Sequence, residues 1–223
     1  MQIAIALFPG FTALDAVGPY QVTALWPGHE VVLCAETTGP VTDESGILRL
    51  DIEHTFAEVT RPDIVVVPGG TITRTMAYGG NPVVEWIRAV HPHATWTTSV
   101  CTGALLLGAA GLLDGLDATT HWRAYDGLRG FGANPLEQRV VRQGKIITGA
   151  GVSAGIDMAL TLVAEVDGPG MAQAIQLGIE YDPQPPFDAG APSKAPAEIY
   201  ELVNAVMAEQ EARVIAEFAA ARA

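Results

Sequence analysis

Cys101 stands where an apolar run gives way to a helix-forming stretch, in Thr97-Thr98-Ser99-Val100-Cys101-Thr102-Gly103-Ala104. A residue on such a strand-to-helix turn projects its side chain beyond the sheet end, the geometry serine hydrolases use for their nucleophile. The following helix would aim its positive N-terminal end at the sulfur, favouring thiolate and lowering the thiol pKa. Gly103 leaves room for the turn. This pattern suits a nucleophile; the alternative is a small cysteine packed between strand and helix. Cys34 lies inside Val31-Val32-Leu33-Cys34-Ala35 and reads as core.

Three further segments carry polar groups to the same end of a sheet. Asp15 follows the first apolar run and sits among Leu14, Ala16 and Val17. A carboxylate among apolar neighbours is costly, and beside a sulfur its pKa would rise until it could hold a proton. That suits a general acid/base; the alternative is a first-turn helix cap. Pro68-Gly69-Gly70-Thr71 follows Ile64 to Val67, and its glycines could turn N–H groups toward a ligand as part of an oxyanion hole, or form an ordinary turn. His121, in Thr119-Thr120-His121-Trp122, lies 20 residues after Cys101. It would serve as a base only within hydrogen-bond reach of the sulfur; otherwise it is a hydrogen-bonded wall residue.

These positions need a scaffold, and the chain supplies one. Ile3 to Phe8, Val31 to Ala35, Ile64 to Val67, Ala94 to Val100 and Ile146 to Thr148 are apolar runs of strand length. Between them, Thr12 to Trp26 (with Pro19 as a distortion or break), Pro82 to Val90 and Thr102 to Leu113 read as helices. Asn81 is a fitting N-cap, with Pro82 at the first helical position. Alternating strands and helices predict a parallel sheet covered on both faces, with ligands beyond the strands' carboxyl ends. Val41 to Ile52, turning at Asp43-Glu44-Ser45-Gly46, and Arg139 to Ile147, turning at Gln143-Gly144, read as hairpins. Val152 to Val166 and Gly170 to Tyr181 read as helices. The Pro-rich segment Asp182 to Pro196 crosses the surface, and a last helix starts near Ala197. No repeat or composition shift marks a second domain.

Composition narrows the function. With 223 residues, 49% hydrophobic and 17% charged, the chain can bury a full core. A net charge of −13 argues against a phosphate-binding face and so against nucleic-acid partners. Two cysteines make no disulfide scaffold. No apolar run reaches the length of a membrane span, and the first residues lack the pattern of a signal peptide, so a cytoplasmic protein is expected. The five histidines show no metal-ligand spacing. Gly149-Ala150-Gly151-Val152-Ser153-Ala154-Gly155 lacks the lysine of a phosphate loop and reads as close backbone packing near the pocket. No dinucleotide fingerprint follows the first strand.

Taken together, the residues resemble the ThiJ/PfpI branch of the class I glutamine-amidotransferase-like superfamily, over nearly the whole chain. The marks are the elbow Cys101, Asp15 after the first strand, the Pro68-Gly69-Gly70 turn and a C-terminal helical layer. Within that branch the chain is most similar to the isonitrile hydratase subgroup. The likeness rests on Ser99 to Gly103, Leu107 to Leu113, Ala118 to Trp122, Ala154 to Asp157, Ala159 to Leu162, and Glu180 to Phe187 with Gly190-Ala191-Pro192. Asp15 in place of the Glu of other branches agrees.

The resemblance implies an α/β, flavodoxin-like three-layer sandwich, formed as one domain over 1–223 with a C-terminal helical extension. It implies Cys101 as nucleophile, Asp15 as its acid/base partner, Thr102 near the sulfur, and Gly70, Thr71 and His121 against the substrate. The implied enzyme is a homodimeric, cofactor-independent hydro-lyase without a metal, turning a small isonitrile into an N-substituted formamide through a Cys101 thioimidate. The alternatives are a glyoxalase, deglycase or amidase using Cys101 with His121, or a non-catalytic cysteine redox or small-molecule sensor. The elbow and Thr-His-Trp motifs also occur in sensor domains of transcription regulators, but the basic recognition helix of those chains is not seen here.

Overall fold

A computed structural model describes residues 1–220. The strands are β1 (Gln2–Ala6), β2 (Glu30–Ala35), β3 (Gly39–Thr42), β4 (Arg49–Ile52), β5 (His54–Thr55), β6 (Ile64–Val67), β7 (Trp96–Val100), β8 (Asp117–Ala118), β9 (Asn134–Pro135), β10 (Val140–Gln143) and β11 (Ile146–Gly149). The helices are α1 (Ala13–Ala24), α2 (Thr73–Tyr78), α3 (Pro82–Val90), α4 (Gly103–Ala109), α5 (Tyr125–Gly130), α6 (Ala154–Asp167), α7 (Pro169–Gly178) and α8 (Ala197–Ala220). A 3-10 turn spans Trp122–Ala124.

Seven strands form one sheet in the order β10-β11-β7-β6-β1-β2-β5. All neighbours are parallel except β10 and β11. Every residue of β6 and β7 is buried, which explains their unbroken apolar or threonine-rich runs. Helices α1 and α6 pack on each other and on the sheet, with α7 outside against α6; α4 lies on β6 and β7 with α3 beside it. This is the expected α/β sandwich with a mostly parallel sheet. Among the described residues, no helix is long and apolar enough to cross a membrane.

Several boundaries differ from the sequence reading. Helix α1 runs through Pro19 without a break. The proline ring packs where a side chain on Gly155 would stand, so it is part of the α1–α6 contact. Helix α4 ends at Ala109, and Gly111 turns the chain with φ +80°, so the apolar run to Leu113 is not all helix. The short helices α2 and α5 and the strands β5 and β9 are too brief to leave a periodic pattern in the sequence. Asn81 caps α3 as expected, its side chain accepting from the Val83 N–H at 2.9 Å.

By contacts the chain divides into two compact units, the first running from Met1 to Ile179 and the second starting at Glu180. The second holds an irregular segment, with Lys194 paired to Asp188 at 2.6 Å, and then α8. Ile199, Leu202, Val203 and Val206 of α8 are exposed.

Candidate active site

The site lies at the carboxyl ends of β1, β6, β7 and β11. Strand β7 ends at Val100, and Cys101 turns the chain with φ +55°, a left-handed conformation that non-glycine residues seldom adopt. Two carbonyls fix the turn: the Cys101 N–H lies 3.1 Å from the Gly149 oxygen and 2.9 Å from that of Ala150, measured from the nitrogen. The Thr120 hydroxyl donates to the Cys101 carbonyl at 2.8 Å. Gly103 is required here, because a Cβ would strike the Val67 carbonyl oxygen. The elbow inferred from sequence is therefore present.

Asp15, on the first turn of α1, is fully buried beside the elbow. Its Oδ2 accepts from the Gly69 N–H at 2.9 Å, while Oδ1 has no hydrogen-bond partner among the described residues. Burial pushes the carboxyl up to about 7, opposed by the Gly69 N–H, reinforced by the charge of Glu44 and eased by the Cys101 thiol. The sequence reading of a carboxyl able to hold a proton at neutral pH agrees with this environment.

The thiol differs from expectation. Burial pushes its pKa up, the Asp15 charge adds to that, and the Val152 N–H with the Thr102 N–H and hydroxyl oppose it. The sequence pattern predicts a helix N-terminus that favours thiolate. Desolvation and the neighbouring carboxylate outweigh it, and α4 is only 7 residues long. The resting pair is thus a thiol beside a carboxyl of near-neutral pKa.

The Pro68-Gly69-Gly70 turn has a supporting place rather than the expected one. The Gly69 N–H is taken by Asp15, and the Gly70 N–H by the Thr102 hydroxyl at 3.1 Å. The same hydroxyl donates to the Gly70 carbonyl at 3.1 Å. Neither glycine N–H is left to form an oxyanion hole; the N–H groups that face the sulfur belong to Val152 and Thr102. A Cβ on Gly69 would stand 2.7 Å from the Thr102 nitrogen and 2.8 Å from Asp15 Oδ2, so glycine lets carboxyl and elbow approach. Val152 itself has φ +21°, and the close packing read from its glycine-rich surroundings conceals its part at the sulfur.

His121 lies against the glycine-rich loop. Its Nδ1 accepts from the Arg123 N–H at 3.3 Å, and its ring stands where a side chain on Gly151 would be. Burial, Arg123 and Arg74 push its pKa down to about 4, so the ring is neutral. Among the described residues, the groups acting on the thiol are Asp15, Val152 and Thr102. Thr71 is held by Glu44, whose Oε2 accepts from its N–H at 3.0 Å and its hydroxyl at 2.8 Å. Glu44 escapes the sequence reading because a glutamate in a hairpin turn carries no signal beyond solvation.

A parallel α/β sheet that presents an elbow thiol to a buried carboxyl defines a class of cysteine-centred α/β proteins. The chain belongs to the DJ-1/PfpI family, whose sequence pattern matches residues 1–165. It is 44% identical over 207 residues to the isonitrile hydratase of Pseudomonas putida, a match covering 90% of this chain and 87% of that one. The crystal structure of a ThiJ/PfpI family protein from Pseudomonas syringae superposes with a TM-score of 0.89 at 40% identity, covering 94% of this chain and 87% of the other. The HTH-type transcriptional regulator CdhR of Pseudomonas aeruginosa is 31% identical over 74% of this chain, but the match spans only 51% of the regulator.

Proposed function

We propose that the protein is an isonitrile hydratase in which Cys101 is the nucleophile and Asp15 the acid/base. The observation that carries the chemistry is the buried carboxyl of near-neutral pKa set beside the elbow thiol. The 44% identity to a named isonitrile hydratase supplies the substrate class.

The terminal carbon of an isonitrile R–N≡C accepts both a nucleophile and a proton. As the sulfur bonds to it, the thiol proton passes through Asp15 to the same carbon, giving the thioimidate R–N=CH–S–Cys101 and leaving Asp15 as carboxylate. Asp15 then takes a proton from water as its oxygen adds to that carbon, and the nitrogen gains the proton. The resulting R–NH–CH(OH)–S–Cys101 collapses: C=O forms, the C–S bond breaks, and the hydroxyl proton returns to sulfur. The product is R–NH–CHO, and no electrons are exchanged. The Val152 and Thr102 N–H groups receive the charge on departing sulfur. His121 is a neutral wall residue in this scheme, and Gly70 and Thr71 hold the rim. We extend the reading to a homodimeric cytoplasmic enzyme whose single α/β domain carries a C-terminal helical extension.

Purified protein is incubated with an aryl isonitrile, and formamide is followed by mass spectrometry beside the Cys101→Ala variant. Formamide from the wild type alone is expected. None from the wild type overturns the activity, and equal amounts from both overturn the nucleophile.

A further inference from the structure

Glu44 occupies the tip of the β3–β4 hairpin, exposed to solvent, yet its carboxylate reaches into both loops that frame the site. Oε1 accepts from the Thr12 hydroxyl at 2.8 Å, and Oε2 accepts from the Thr71 N–H at 3.0 Å and hydroxyl at 2.8 Å. Thr12 immediately precedes α1, which carries Asp15, and its hydroxyl does not cap its own helix. Thr71 follows Gly70, which is bonded to Thr102. The Thr12 N–H also donates to the Gly69 carbonyl at 2.8 Å. The hairpin tip is itself firmly placed. The Asp43 carboxylate accepts from Ser45, Ile47 and Leu48, and the Glu44 N–H donates to the Phe11 carbonyl at 2.9 Å.

We propose that Glu44 is a positioning residue for the Asp15–Cys101 pair: its carboxylate ties the loop before α1 to the loop after β6 and keeps a negative charge beside the pair. The proposal rests on Asp15 being the acid/base of the reaction above. A fixed anion near a buried carboxyl strengthens that carboxyl's hold on its proton. The charged and titratable groups around this rim include Asp43 beside Glu44 in the hairpin, Asp15 from α1, Cys101 from the elbow, His121 and Arg123 from the 3-10 turn and its cap, and Arg74 from α2. Glu44 raises the proton affinity of both Asp15 and His121, while Arg74 and Arg123 lower that of His121. Glu44 thus sets an anion among the cations of the rim, on the side that favours protonated Asp15.

The test reads Asp15 directly. Infrared spectra between pH 5 and about 9 follow the protonated-carboxyl band, assigned by its loss in Asp15→Asn; ordinary carboxylates have lost their protons across this range. Glu44→Gln keeps the shape and removes the charge, and should move the band's midpoint to lower pH. The acidic limb of kcat/KM should move with it. Thr12→Val keeps the charge and breaks one bridge. It should leave the midpoint in place while kcat falls roughly tenfold, the scale of one charge-assisted hydrogen bond. A midpoint unmoved in Glu44→Gln overturns the proposal. Should that variant not fold, the wild type serves alone: screening between about 0.01 and 1 M salt should lower the midpoint, and a fixed midpoint overturns the proposal equally. Absence of any Asp15-dependent band in the wild type overturns instead the acid/base reading on which this rests.

Discussion

The two cysteines lie at the same sheet and are both buried, Cys34 completely and Cys101 with 5% exposure. Burial raises both thiol pKa values, that of Cys34 to about 12. Burial therefore cannot separate a reactive thiol from an inert one. Cys34 sits within β2, opposite Ala6 in the parallel register, and its thiol donates weakly to the Ile5 carbonyl at 3.7 Å. Cys101 sits past the end of β7 in a left-handed turn. It faces a carboxyl that can take its proton and two backbone N–H groups that can receive its charge. The contrast teaches that this site does not store a thiolate. It sets a carboxyl of near-neutral pKa beside a thiol that burial keeps protonated.

The largest expected effect breaks the contrast at Asp15 and is read in stability. The folded protein holds the Asp15 proton up to about pH 7, whereas an unfolded aspartate releases it near 3.8. Between those values the folded state binds more protons than the unfolded one, so stability falls as pH rises through the window and levels off above about 7. At about 1.4 kcal/mol per pH unit, the fall is on the order of 4 kcal/mol. Asp15→Asn should lack it and be the more stable protein at pH 8. Denaturant midpoints for both proteins from pH 4 to about 8 check this; parallel curves would mean that Asp15 ionises freely in the fold.

The same substitution tests the chemistry. The amide introduced by Asp15→Asn would keep an acceptor for the Gly69 N–H but could neither take nor return a proton. We expect kcat/KM for isonitrile hydration to fall at least about a hundredfold, equivalent to about 2.7 kcal/mol in the barrier. The wild-type profile should rise through about pH 7 as Asp15 becomes the carboxylate base, and this limb should vanish in the variant. A loss of only a few-fold would place Asp15 with the structural carboxylates and leave the thiol without its distinguishing partner.

Legibility from sequence follows the range of the forces involved. The elbow is readable because strand end, cysteine and glycine are adjacent, and Gly103 is demanded by a backbone clash that any such turn produces. Asp15 is readable because a carboxylate amid apolar residues needs an explanation wherever the chain goes. The fate of the Gly69 and Gly70 N–H groups is not readable. Their acceptors, Asp15 and Thr102, lie 54 and 32 residues away in sequence. Glu44 is hidden for the same reason, since its partners Thr12 and Thr71 come from different loops. The thiol pKa defies the local pattern because a helix-end dipole is a local feature, whereas desolvation sums over every element packed around the sulfur. Pro19 shows the converse: a local rule predicts a distortion, and a tertiary contact with Gly155 accommodates the residue in an unbroken helix.

The smallest effect belongs to the other thiol. Cys34→Ala removes one buried sulfur and a weak bond to the Ile5 carbonyl, leaving a small void in β2. Such a change costs about 1 kcal/mol, within the usual range for small core truncations. Because Cys34 stays protonated across the working range, the pH dependence of stability and the kcat/KM profile should both keep their wild-type shapes, displaced only by the constant loss in stability. Turnover should stay within about twofold, since burial of this thiol contributes packing and no proton chemistry. The measurement is a denaturation series and a pH–rate profile on Cys34→Ala beside the wild type. A displaced limb in that profile would show that the β2 thiol is coupled to the Asp15–Cys101 pair through β1, and the two cysteines would then have to be treated as one titrating system.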